Sequence, residues 1–379
     1  MINKLKLIHF KSHKETEIEF KNLTVLCGAN GVGKSSFIQA LLLLRQTYYL
    51  NKLDQLLFLN GNLYEIGTVK DVLHVSNEGE FYKKIILDLI FNQTEENKWL
   101  FDADSDFNFL ELINKQQQNE KYKQLALFNK NFQYISAFRN SEQISAKDFD
   151  IVQGNQISYH KGKGDMVAHY LHHYGKKTEV ISELRHPEAK FPFLAEQVSA
   201  WESDIIKSGI NIISEKITDN QYTIKYDFKV NSFEVAEHKF TADNVGYGLS
   251  YILPIITAIL TSKPNDFIII ENPEAHLHPS SISKLTELIC KASQAGIQIL
   301  IETHSDHIIN GILVQAKFHE DSKGNQGINK ENISIYQFQK EEKNHGTISI
   351  PISIEEGGRI YEKPEGFFDQ IANDLRELF

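Results

Sequence analysis

Three short stretches of this chain carry residues whose types and spacing could do chemistry. The first, Gly28-Ala29-Asn30-Gly31-Val32-Gly33-Lys34-Ser35, satisfies the pattern G-x-x-x-x-G-K-[ST] in full. A strand-like run, Thr24-Val25-Leu26-Cys27, leads into it and a long apolar stretch runs out of it, so it reads as strand, loop, helix. Glycines let backbone N–H groups curl round a phosphate chain without side-chain obstruction. The N–H groups around Asn30, Gly31, Gly33, Ser35 and Ser36 would share that task with the partial positive charge of the helix start. Lys34 would neutralise the β- and γ-phosphates, and the Ser35 hydroxyl would ligate Mg²⁺. The second stretch is an apolar run, 267–270, ending in Glu271 and continuing Asn-Pro-Glu274-Ala-His276-Leu-His278-Pro. A phosphate-loop enzyme needs a carboxylate at a neighbouring strand end to hold Mg²⁺, and Glu271 is the candidate. The third is another apolar run, 297–301, that ends in Glu302-Thr303-His304-Ser305-Asp306-His307.

The elements that must position these residues follow from the rest of the chain. The first forty residues alternate like three strands, and 35–50 is apolar enough for a helix buried on most faces. From 243 onward the pattern is α/β again: helix 248–261, buried strand 267–270, helix 281–295, buried strand 297–301. Between them, 84–91, 132–138 and 222–228 read as antiparallel strands, and polar 110–130 as a solvated helical excursion. Four segments are therefore expected: the first part of a nucleotide-binding head (1–75), a mixed α+β insertion lobe (76–240), the second part of the head (241–315), and a C-terminal cap (316–379) ending in a helix over 367–378.

Length, charge and cysteines set the outer limits. At 379 residues the chain has room for two or three domains. Forty Lys+Arg against fifty Asp+Glu leave a net charge of −10, so no global positive field draws it to nucleic acid or anionic lipid. Two cysteines, Cys27 and Cys290, make no disulfide framework and suit a reducing, cytoplasmic setting. The longest apolar run, 251–260, is half of what a membrane helix needs, and the basic N-terminus has no apolar core to make a signal peptide. No membrane association is expected.

The phosphate-loop pattern near the N-terminus, a central insertion, E-N-P-E-A-H-L-H-P and E-T-H-S-D-H together resemble the ABC-type ATPase heads of the RecF/Rad50/SMC group. More narrowly they are similar to ATPases related to the OLD proteins. The helix sequence from Gly33 to Gln46, YISAFR at 134–139, GYGLSYILPII from Gly246 and GGRIYEKPEGFFDQ from Gly357 fit that narrower group. The resemblance implies a P-loop NTPase with ATP and Mg²⁺ as cofactors. It places Glu271 as the Mg²⁺-supporting acid and His304 as the switch histidine that senses the γ-phosphate. It also puts Asn244, Gly246, Gly248 and Ser250 where a signature motif reaches the nucleotide of a partner subunit. The literal LSGGQ is absent. His276, His278, His304 and His307 then belong to a dimer-seam loop and a sensor rather than to a transition-metal cluster.

The position after Glu271, where a catalytic glutamate is usual in such heads, holds Asn272, and an amide cannot act as a general base. Spacing offers Glu274 as the replacement, with slow turnover. The leading functional reading is an ATP-gated switch: a homodimer, or an assembly of dimers, that controls a separately encoded effector, a nuclease or toxin, in anti-phage defence. A RecF-like repair ATPase that contacts DNA directly is the alternative. The negative charge and the lack of Lys/Arg runs longer than pieces such as Lys161-Gly-Lys163 stand against it. The size of the insertion and the tail stand against a transporter's ATPase subunit.

Overall fold

A computed structural model of the chain describes residues 1–75, 83–139, 144–145, 154–158, 161–218, 221–228, 239–241, 244–341, 346–368 and 376–378. The chain opens with the hairpin β1 (Ile2–Phe10) and β2 (His13–Glu19), then β3 (Leu23–Gly28) and helix α1 (Lys34–Tyr49). After β4 (Leu56–Phe58) and one turn of helix, α2 (Val69–Val72), come β5 (Lys84–Phe91), β6 (Glu95–Asp102), β7 (Phe109–Leu112), β8 (Phe132–Ile135) and β9 (Ile144–Ser145). Helices α3 (Val167–Tyr174) and α4 (Leu194–Ile206) precede β10 (Ile210–Thr218), β11 (Gln221–Phe228) and β12 (Phe240–Thr241). The last third alternates α5 (Tyr247–Thr261), β13 (Phe267–Glu271), α6 (Pro279–Gln294), β14 (Gln298–Glu302), α7 (Asp306–Asp321), β15 (Ile333–Lys340) and β16 (Thr347–Ile352).

Strand composition decides the layering. β13 (FIIIE) and β14 (QILIE) are apolar on both faces, as strands covered on both sides must be. They lie in a six-stranded sheet of order β16-β15-β3-β14-β13-β8, in which only β16 runs antiparallel to its neighbour. Successive side chains point to opposite faces. Leu23, Val25, Cys27, Ile268, Ile270, Ile299 and Ile301 therefore enter one core, shared with α3 to α7. Leu26, Phe267, Ile269 and Leu300 enter the other, where α1 is pressed between this sheet and a second, antiparallel one. The second sheet has the order β2-β1-β5-β6-β7-β4. Sandwiched this way, α1 buries nearly everything from Phe37 to Thr47, as its apolar sequence requires.

Several sequence expectations differ from what the described residues show. The segment expected as an insertion lobe, 76–240, is in large part woven into the head. β5 pairs with β1 because Ile85, Leu87, Leu89 and Phe91 form an alternating apolar face that β1 completes with Leu5 and Leu7. β8 joins the edge of the parallel sheet beside β13. Residues 110–130 are not a solvated helix. After β7 they make three short 3₁₀ turns, because Tyr122, Leu125, Leu127 and Phe128 plug the core beneath α1. Tyr122 sits edge-on to Trp99, with ring centroids 5.1 Å apart. The polar residues between these anchors hid them. The tail also enters the head: β15 pairs with β3, and Phe367 is buried. Most of the helix expected over 367–378, at 369–375, lies outside the described residues. No helix among the described residues is long and apolar enough to cross a membrane.

Phe37 is fully buried where α1 meets both sheets, with the rings of Phe20 and Phe338 each 6.2 Å away. Phe37→Ala is expected to cost about 3–5 kcal/mol, read as a lower urea midpoint.

Candidate functional site

The phosphate-type loop spans the gap between β3 and α1 and is held from three distant segments. Gly28 has φ +131°, and a Cβ there would run into the carbonyl oxygen of Phe338 on β15. Gly33 has φ +105°, and a Cβ there would strike the hydroxyls of Thr347 and Ser12. Only glycine fits either position. The Thr347 hydroxyl lies 2.8 Å from the Val32 carbonyl and 2.7 Å from Ser12 Oγ. His13 donates from Nε2 to the Gly33 carbonyl at 3.0 Å while its Nδ1 pairs with Thr16 Oγ1. Burial holds this imidazole neutral, with a pKa pushed down to about 4. No side chain caps the start of α1, so its first N–H groups face the loop's hollow with their dipole unanswered. Asn30, Gly31 and Ser35 are exposed and Ser36 is half-buried.

Lys34 is buried, and its Nζ donates to the carbonyls of Gly28 (2.9 Å) and Ala29 (2.6 Å). Desolvation lowers its pKa, against the pull of Glu302. His304, just past β14, places Nδ1 3.0 Å from the Gly28 carbonyl and 3.4 Å from Lys34 Nζ. With Nδ1–H donating to that carbonyl, Nε2 is left as an acceptor. Burial first, and then Lys34, lower this histidine's pKa. The backbone N–H of His304 and the Thr303 hydroxyl both donate to Glu274 Oε1, at 3.0 and 2.8 Å.

Two acids end adjacent strands. Glu271 and Glu302 are register partners in the parallel pair β13·β14. Glu271 accepts from the Tyr134 hydroxyl at 3.0 Å and the Ala137 N–H at 3.2 Å. Burial, reinforced by the neighbouring Glu302, pushes its pKa up to about 7. Glu302 Oε1 accepts from the Ser35 hydroxyl at 2.7 Å, and its carboxyl is also raised by burial. Its Oε2 is buried without a hydrogen-bond partner. Behind the strand ends, Arg139 donates to the carbonyls of Glu271 (3.2 Å) and Asn272 (2.5 Å). Asn272 turns the chain with φ +44°.

These groups surround a cleft of about 540 Å³ lined by Ser35, Tyr134, Glu271, Asn272, Glu302 and His304, with Lys161 and Lys163 at its rim. It lies at the carboxyl ends of the parallel strands, where open α/β sheets bind ligands. A wider hollow of about 770 Å³, beside Ser199, Ser203 and Lys207, gathers no comparable set. Among the described residues no three His, Cys, Asp or Glu side chains converge as a metal cage. A buried carboxylate, a half-buried one and a serine hydroxyl instead suit Mg²⁺, which binds through one or two carboxylates and completes its shell with phosphate and water. The adjacent acids, whose pKa values burial raises, and the orphaned Glu302 Oε2 fit such a cation.

Of the sequence candidates, Lys34, Ser35, Glu271 and His304 come together here. Glu274 does not line the cleft and reaches it through His304. Asn244, Gly246, Gly248 and Ser250 do not line it either. Asn244 and Gly246 are exposed at the start of α5, Gly248 faces the His276 carbonyl, and Ser250 is buried. Glu302, Tyr134 and Arg139 had no assigned role. The signal for Glu302 was present, since it ends an apolar strand as Glu271 does. Nothing comparable marked Tyr134 or Arg139.

Comparison with known proteins finds several similar families and folds. A model described as "AAA ATPase domain" matches residues 1–178. A second model, described as "AAA domain, putative AbiEii toxin, Type IV TA system", matches 201–310. A third, "Protein of unknown function (DUF3696)", matches 328–378. The Old nuclease of Escherichia phage P2 is 38% identical over 50 residues, 13% of this chain and 8% of that protein, so the chain spans only a small part of that relative. An SMC head domain with an extended coiled coil, bound to the C-terminal domain of ScpA derived from Pyrococcus furiosus, matches with TM-score 0.50 and 13% identity. It covers all of this chain and 99% of that one. The SMC head domain from Thermotoga maritima matches with TM-score 0.42 and 12% identity, over 93% of this chain and 99% of that one. The chain has a P-loop NTPase head fold of the SMC type.

Glu271 also predicts a pH dependence. Its pKa of about 7 in the folded chain exceeds the ordinary 4.5, so between those values the folded state holds a proton that the unfolded state has lost. Stability from this source is full below pH 4.5 and is lost as pH rises through about 7. Without metal, Glu271→Gln should remove up to about 3 kcal/mol of that slope, measured by urea melts across the interval.

Proposed function

We propose that this chain, an ATPase with an SMC-type head and OLD-like motifs, is an ATP-gated switch that closes as a homodimer, or an assembly of dimers, and controls a separately encoded nuclease or toxin in anti-phage defence. The observation that carries the nucleotide part is the convergence of the uncapped α1 start, Lys34 and Ser35 with Glu271 and His304 on one cleft.

In this reading the α1 N–H groups and Lys34 take the β- and γ-phosphates, the ammonium exchanging the Gly28 and Ala29 carbonyls for phosphate oxygens. Ser35 and Glu271 hold Mg²⁺. The cation, when bound, screens the triphosphate charge and polarises the γ-phosphate. His304 offers Nε2 to the γ-phosphate end, its ring steadied by the Gly28 carbonyl and its backbone by Glu274. Asn272 leaves the usual base position without a carboxylate. Glu274 is the nearest acid of that loop, with Oε1 occupied and Oε2 buried and unpartnered, so proton removal from water through it is slow. The start of α5, where Asn244 and Gly246 are exposed with half-buried Gly248 and buried Ser250 behind them, then serves the nucleotide of the partner subunit rather than its own. The absence of these residues from the chain's own cleft supports this. Control of a partner protein is supported by the likeness to SMC heads solved with ScpA bound and by the short match to Old nuclease.

Steady-state ATP hydrolysis by the purified chain tests the engine. Slow turnover that Lys34→Ala abolishes is expected, with a further fall of about 10²-fold in Glu274→Gln. Unchanged turnover in Glu274→Gln would remove that residue from the chemistry. In analytical ultracentrifugation, ATP with Mg²⁺ should double the mass of the Glu274→Gln variant. A persistent monomer would sink the switch.

A further inference from the structure

We infer that Glu302 is a metal-site carboxylate: it grips the Ser35 hydroxyl by its hydrogen, leaving the oxygen lone pairs for Mg²⁺, and offers its second oxygen to the cation's hydration shell. The inference rests on the reading of the cleft as an ATP site and adds a residue to it.

Three observations converge. The first is strand parity. Leu300 faces the α1 side of the sheet, so Glu302, two residues on, faces it too. Phe267 and Ile269 send Glu271 to that same face. Both acids are thus delivered to the layer that contains the start of α1. The second is the contact itself. Ser35 Oγ donates to Glu302 Oε1 at 2.7 Å, while both oxygens of Glu271 are engaged by Tyr134 and Ala137. A hydroxyl has one hydrogen and two lone pairs. A carboxylate that takes the hydrogen fixes the rotor and leaves the lone pairs for a cation, as outer-sphere partners do at metal sites. The third is the orphan. Glu302 Oε2 is buried with no hydrogen-bond partner among the described residues, an arrangement costly in a dry site and relieved by a cation's water. Lys34 compensates only in part: its charge attracts Glu302, but its ammonium is held by the carbonyls of Gly28 and Ala29, and no ion pair joins it to either acid among the described residues.

Titration calorimetry of ATP, once with Mg²⁺ and once with EDTA, tests the assignment. In the wild type the metal should tighten ATP binding. In Glu302→Gln that gain should fall by about tenfold or more, with the loss confined to the titration containing Mg²⁺. Because part of the effect of Glu302 runs through Ser35, Ser35→Ala combined with Glu302→Gln should lose less than the two single losses added together. Circular dichroism checks folding. If Glu302→Gln fails that check, Glu302→Asp, which keeps the charge but draws it off Ser35, should show the same metal-specific loss. An undiminished Mg²⁺ gain in either folded variant, beside a wild type that binds ATP through Lys34, overturns this assignment alone. A wild type whose ATP binding is indifferent to Lys34→Ala overturns the site reading with it.

Discussion

The head is organised around two carboxylates that its strand register forces together. Glu271 and Glu302 end neighbouring parallel strands as register partners, so their side chains leave the same face about 4.8 Å apart at the backbone. Two anionic carboxylates at about 5 Å repel by roughly 3 kcal/mol even at an effective dielectric of 20. Burial is the larger cost of charging Glu271, and this repulsion adds to it, so that Glu271 holds its proton up to about 7. Such a pair persists only where something positive visits. The α1 start, with its free N–H groups and Lys34, is placed over that face by the same alternation that builds the two cores. The site is thus a consequence of parity: moving β14 by one residue would send Glu302 to the helices of the opposite face and leave Ser35 without its acceptor.

A second constraint keeps the loop between β3 and α1 in shape before any ligand arrives. Its glycines are locked by Phe338 and Thr347 from the C-terminal strands and by Ser12 and His13 from the first hairpin. These contacts join residues more than three hundred positions apart, for Thr347 with Ser12 and with Val32. A loop fixed by backbone and hydroxyl contacts loses little entropy on taking up phosphate. Residues 333–340 and 347–352 therefore act as part of the head rather than as an appendage to it.

Much of this was legible from sequence, for a physical reason. The loop pattern, the apolar strands ending in Glu271 and Glu302, and the helices after them are local features with strong periodicity, and each forms close to where its residues indicate. Strand pairing over long separations was not legible. The alternation of 84–91 announces a half-buried strand, but nothing in it names β1 as the partner rather than a strand of its own lobe. The turns over 115–128 were hidden for a related reason. Their anchors, Tyr122, Leu125, Leu127 and Phe128, follow no helical or strand period, and their place is set by the cavity beneath α1. In the site, sequence motifs gave Lys34, Ser35 and His304. The hydrogen-bond partners that aim them, Glu302, Tyr134 and the Gly28 carbonyl, depend on which strands lie side by side.

The same adjacency ties the acid strand to the helix that begins at Gly246. Arg139 is almost wholly buried, and its guanidinium bridges the carbonyls of Glu271 and Asn272 while lying 5.6 Å from the ring of Tyr251 on α5. Tyr251 in turn meets His276, whose ring centroid is 4.4 Å away in the loop after Glu274. Burial lowers the guanidinium's pKa to about 10, still high enough to keep it charged at neutral pH. A buried cation held by carbonyl dipoles is oriented strongly and tolerates little displacement. Any shift of the turn at Asn272, where φ is +44°, must move Arg139 or break its bonds, and through the ring contact it bears on α5. The acid strand end is thus joined to α5 through two packed side chains, Arg139 and Tyr251, and His276 ties Tyr251 back to the loop after Glu274.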